Sequence, residues 1–91
     1  MRRDEAFFGQ QELVLLYVAR RLREAKRIEA LLEQAGVDYL IELDTYRGGV
    51  IFVSERVGAF FYASEAQCET ARTRMREAGF HPFEAGEGQS D

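Results

Sequence analysis

Ninety-one residues, 46% of them apolar and 31% charged, describe one small domain with material for a core and no room for two. A formal charge of −4 disfavours a polyanion as the main partner, and no apolar run approaches the roughly 20 residues needed to cross a bilayer. The single cysteine excludes an internal disulfide and fits a reducing cytoplasm.

The N-terminal stretch is charged and short of apolar length, so it does not read as a secretory signal. Residues 1–11 show no clean period and are expected as a loose arm, with Phe7 and Phe8 available to pack on the sheet or on a partner. Leu13 to Ala19 is a nearly continuous apolar run of strand formers, as in a strand covered on at least one face. Leu22, Ala25, Ile28, Leu32 and Ala35 recur at spacings of three and four and so share one helical face, which Leu31 widens. Arg27, Glu29, Glu33 and Gln34 lie at the margin of that stripe or away from it. Gly36 stands where a left-handed residue ends a helix, and Val37 folds back onto the last turn.

A second strand is expected from Val37 to about Tyr46, closed by a turn at Arg47-Gly48-Gly49. Val50 to Ser54 and Ala59 to Ala63 are again strand-like, with Glu55 to Gly58 between them. They form either one strand bent at a bulge near Gly58 or two strands joined by a tight turn; the bent strand keeps the strand count even. Ser64-Glu65-Ala66-Gln67 has the form of a capping box and starts a second helix, to which Cys68, Ala71, Met75 and Ala78 give an apolar face. Glu65 and Glu69 come early in it and Arg72, Arg74 and Arg76 late, the order that the helix dipole favours. Gly79 ends it. His81-Pro82-Phe83 reads as a short edge strand, and residues 85–91 as a disordered tail, leaving residues 12–84 as the domain.

The chain repeats itself at an offset of about 43 residues. LLEQAGVDYL (31–40) matches RMREAGFHPF (74–83) in character, Tyr17 falls on Phe60, and Ile28 on Ala71. Two strand–helix–strand units in succession predict an α+β, ferredoxin-like β-α-β-β-α-β fold, an antiparallel sheet with two helices on one face.

LYVARRLREAKRIEALLEQAGVDYLIE resembles the start of the small bacterial signal-transducing-protein domains, a family of unknown function with a PII-like, ferredoxin-like fold. The family pattern of a strand, an E-A-x-x-I-x-x-L-L-x-x-A-G-I helix and a second strand falls on Glu24-Ala25, Ile28, Leu31-Leu32 and Ala35-Gly36-Val37. VGAFFYASEAQCETA is similar to the family's later strand and helix entry, and the resemblance spans roughly residues 13–80. It implies a regulatory role and carries no catalytic residues with it.

Cys68 and His81 are the only thiol and imidazole, and Cys68 lies on the apolar stripe of the second helix, where a free cysteine is a small hydrophobe. No paired Cys or His spacing marks a metal site. Acylphosphatase, an enzyme of this architecture, resembles an arginine cradle plus an asparagine that orients water, and this chain has no Asn. No catalytic residue, metal or cofactor is therefore expected. RNA-recognition motifs share the topology, and Phe60 and Tyr62 alternate onto one sheet face as base-stacking aromatics do. The order of glycine and aromatics is broken, however, and the net charge is negative. The expectation is a cytoplasmic, non-catalytic binding or regulatory module that forms a homodimer, with RNA binding as the alternative. Tyr46, Phe52, Phe60 and Tyr62 are the candidate interface. Arg20, Arg21 and Arg23, at the start of a helix without a good cap, are the candidate site for a small anionic ligand or an acidic group of a protein partner.

Overall fold

A computed structural model describes residues 1–48 and 54–84. Three strands, β1 (Leu13–Ala19), β2 (Tyr39–Gly48) and β3 (Ser54–Ser64), form an antiparallel sheet in the order β1-β3-β2. Helices α2 (Leu22–Gln34) and α3 (Glu65–Glu77) follow β1 and β3, and a single turn, α1 (Glu5–Phe8), precedes β1. The protein is thus a small α+β domain. No helix among the described residues is long and apolar enough to cross a membrane.

Strand alternation divides the sheet into two faces. Ala59, Phe61 and Ala63 of β3 share a face with Tyr39 and Ile41 of β2 and with Val14 and Tyr17 of β1. These residues join Ala25, Ile28 and Leu32 of α2 and Cys68, Ala71 and Met75 of α3 in one core, so both helices cover that face. The other face carries Leu15, Val18, Phe60, Tyr62 and Leu40.

The two helices end alike. Val37 N–H bonds to Leu32 O and Gly36 N–H to Glu33 O, while Phe80 N–H bonds to Met75 O and Gly79 N–H to Arg76 O. Each is a Schellman closure, and it requires the positive φ found at Gly36 (71°) and Gly79 (91°). Val37 and Phe80, the residues after the glycines, are buried in the core.

Several expectations are corrected. β3 pairs with β2 from Ser54 to Ala63 without a register shift, so no bulge occurs at Gly58. The irregularity lies in β1, between Leu15 and Tyr17, where Leu16 is the extra residue and is itself fully buried. Arg47 and Gly48 still pair with Glu55 and Ser54, so they continue the ladder instead of turning. Residues 49–53, which include Phe52, and the expected tail at 85–91 lie outside the described residues. No strand forms at 81–84; Phe83 N–H donates to Leu16 O, and Pro82 has no donor to extend the pairing. The capping box is not made either. Ser64 is the N-cap residue but its side chain caps nothing, and Gln67 Oε1 accepts the Asp38 N–H at 3.0 Å instead. Leu22, placed by its spacing on the buried stripe, is 72% exposed because it sits in the first turn of α2, beyond the reach of the sheet core.

Residues 1–11 are not a loose arm. Arg3 N–H donates to Tyr39 O and Tyr39 N–H to Met1 O, a parallel pairing along the outer edge of β2. The Arg3 guanidinium meets Asp38 at 2.9 Å and stacks over Phe7. Phe8 is buried, which fixes the start of the chain to the sheet.

Candidate functional site

The three arginines gather where β1 gives way to α2. Arg20 follows the strand, Arg21 is the N-cap residue and Arg23 lies in the first turn; all three are exposed. Glu24 follows Arg23 in the same turn. One of its oxygens accepts the Arg20 backbone N–H at 3.1 Å and the other accepts the Tyr17 hydroxyl at 2.8 Å. A carboxylate of the chain itself therefore already faces the positive end of the helix. Burial, helped by the hydrogen bond to Glu24, holds the Tyr17 hydroxyl above its ordinary pKa. Beside Arg20 and Arg21 opens a groove of about 190 Å³ whose walls are Ala19, Leu22, Ala25, Leu43, Val57 and Ala59. Leu43 is 74% and Val57 63% exposed, because the β2–β3 hairpin runs on past the end of β1 and past the helices. The arginines thus edge an apolar groove.

Phe60 and Tyr62 lie on the face away from the helices, as their alternation requires, and both are half-buried. Tyr46 pairs with Arg56 in the same ladder. Glu42 is directly opposite Phe60, and Asp44 opposite Gly58, so two exposed carboxylates share the aromatic face. The Tyr62 hydroxyl titrates above its ordinary value, from burial first and then from the negative charge of Glu42 and Asp44.

Cys68 is buried in the core, its S–H donating to Glu65 O at 3.2 Å. Arg72, read from the sequence only as a late basic residue of the helix, is 3% exposed. Its Nε donates to Phe83 O at 2.7 Å, and one terminal nitrogen reaches Glu69 at 3.1 Å and the Cys68 sulfur at 3.7 Å. Helical spacing offers a signal: Arg72 follows Cys68 by four residues and precedes Met75 by three, so it lies on the stripe they define. Among the described residues, no group of three or more His, Cys, Asp or Glu side chains is placed to hold a metal ion.

Comparison with protein-family models, with curated proteins and with solved structures finds no match for this chain.

Proposed function

We propose that this chain is a non-catalytic, self-associating binding module of regulatory type, built on the ferredoxin-like β-α-β-β-α-β plan. The order β1-β3-β2, with helices after β1 and β3, supplies five elements of that plan. On this reading the segment 80–84, which forms no strand, stands in for the sixth element, and the bond from Phe83 N–H to Leu16 O of β1 supports that. The signal-transducing-protein resemblance is part of the same reading, as is a cytoplasmic setting.

The observation that carries the proposal is the face opposite α2 and α3. It presents Leu15, Val18, Phe60 and Tyr62, all half-buried and none of them part of the core between sheet and helices. Apolar surface gathered on one face marks a contact with another protein surface, here a second copy. The carboxylates of Glu42 and Asp44 beside these rings repel a phosphate backbone, which favours protein contact over RNA stacking.

Sedimentation velocity at micromolar concentration tests this. A dimer is expected for the wild type and a monomer for Phe60→Lys, whose new ammonium faces Glu42. A wild type that sediments as a monomer overturns the proposal. Filter binding to mixed single-stranded RNA, with salt varied, then decides the alternative, because phosphate contacts give a steep salt slope.

A further inference from the structure

Among the described residues, the outer edge of β2 is paired only at its beginning. Tyr39 turns both of its backbone groups outward, and they bond to Met1 and Arg3 of the N-terminal segment. Since β2 runs without a bulge from Tyr39 to Gly48, Ile41, Leu43 and Thr45 turn theirs outward as well. The N-terminal segment leaves the edge after Arg3. There an open cleft of about 710 Å³ begins, bounded by Arg2, Arg3, Asp4, Glu5, Leu40, Ile41 and Glu42. Among the described residues, the Thr45 N–H finds its acceptor in the carboxylate of its own neighbour, Asp44 Oδ1 at 2.7 Å. An edge of this kind is a template for another strand.

From this we infer that β2, from Ile41 to Thr45, receives an extended segment of a partner protein in which apolar and basic residues alternate. The alternation follows from the two faces of the edge. Ile41 and Leu43 point to the helix side, where Leu43 and Val57 are exposed and call for apolar neighbours. Glu42 and Asp44 point to the other side, where cross-strand neighbours of positive charge are favoured. The chain's own Met1-Arg2-Arg3 sets a precedent on the same edge, with Arg3 paired to Asp38. A second copy of β2 fits poorly. Antiparallel pairing centred on Leu43 sets each Glu42 against the other copy's Asp44. The backbone edge is separate from the face proposed for self-association, but Glu42 and Asp44 border that face, so exchange at the Leu43 and Thr45 amides is the readout that reports on the edge alone.

The test uses a fluorescein-labelled synthetic peptide of alternating Lys and Val, and a control of the same composition with its lysines and valines in separate blocks. The alternating peptide should raise anisotropy on binding and slow hydrogen exchange at the Leu43 and Thr45 amides. Thr45→Pro removes the outward N–H while leaving the bonds to β3 intact, since proline is tolerated on a strand edge. It should weaken binding roughly tenfold, the size of one lost hydrogen bond. The double variant Glu42→Lys, Asp44→Lys keeps every backbone donor and should also lose the peptide, so a folding defect in the proline variant leaves the inference testable. Equal binding of the control peptide, or no slowing of exchange at Leu43 and Thr45, overturns it. So does slowing that grows with protein concentration in the absence of peptide, which would assign the edge to a second copy.

Discussion

Tyr39 is fully buried, yet its hydroxyl reaches Glu33 at 2.8 Å and Glu29 at 3.4 Å on α2, while its backbone holds the N-terminal segment. Burial, then the bond to Glu33, raises its pKa well above the ordinary 10.0, and the same bond is the largest cause lowering that of Glu33. A tyrosine whose folded pKa is raised holds its proton longer when folded than when unfolded. Its stabilising contribution is complete below pH 10 and is lost as pH rises further towards the folded value. Tyr17 and Tyr62 shift in the same direction. Unfolding by urea should therefore become easier above about pH 10, and Tyr39→Phe should flatten that dependence while costing about 1 kcal/mol at pH 7. An unchanged slope in Tyr39→Phe would show that the other tyrosines carry the effect. Gly36 is a second residue whose role is local. A Cβ placed there meets no atom within 4 Å, so Gly36→Val should lose on the order of 1 kcal/mol or more from backbone strain alone. Gly36→Asn should recover part of that loss, because Asn tolerates the left-handed region, and urea midpoints of the pair measure both. The glycine was legible in the sequence, since only position and residue type matter there. The tyrosine's partners were not, because they depend on how α2 is turned over β2.

Helix ends show where element-scale reading holds and where it fails. α2 and α3 are both 13 residues long and both begin and end 43 positions apart, the period read from the sequence. Their C-termini follow the glycine rule, but their N-termini do not follow the capping rules. Gln67 is drawn off to Asp38, and Glu24 serves Arg20 and Tyr17, because tertiary partners compete for the same side-chain oxygens. Strand phase is likewise legible only up to Leu16, where the bulge puts Tyr17 on the helix side although its repeat partner Phe60 faces away. Nothing caps α2 through the side chain of Arg21, and a positive charge at a helix start is unfavourable. Arg21→Ser should raise stability by about 0.5–1 kcal/mol, read from thermal unfolding. With Glu24 already at this end of the helix, the gain should be the same with or without added phosphate. A phosphate-dependent rise in wild-type Tm that Arg21→Ser abolishes would instead establish an anion site at these arginines.

At the scale of the molecule, the α+β composition and the helix-covered sheet were legible because apolar periodicity reports burial directly. The anchoring of residues 1–8 and 80–84 was not, because it rests on charged residues: Arg3 pairs with Asp38, and the buried Arg72 bonds to Phe83 O. Arg72 joins three parts of the fold through one residue, Phe83. It donates from α3 to Phe83 O, and Phe83 N–H donates in turn to Leu16 O in β1. A buried arginine of this kind either holds the last segment in place or merely fills space with its alkyl stem, and the two roles separate in one substitution. Arg72→Met keeps the stem and removes the donors, leaving Phe83 O without this bond. If the guanidinium holds the segment, stability should fall by about 1–3 kcal/mol, and the Phe83 amide should exchange faster than the core amides of β3. Glu69→Ala should change stability by at most about 1 kcal/mol, because Glu69 is largely exposed and its ion pair is screened by water. An Arg72→Met protein as stable as wild type, with Phe83 still protected, would mean that desolvating the guanidinium offsets its hydrogen bonds. The C-terminal segment would then be held by packing of Phe80 and Pro82 instead.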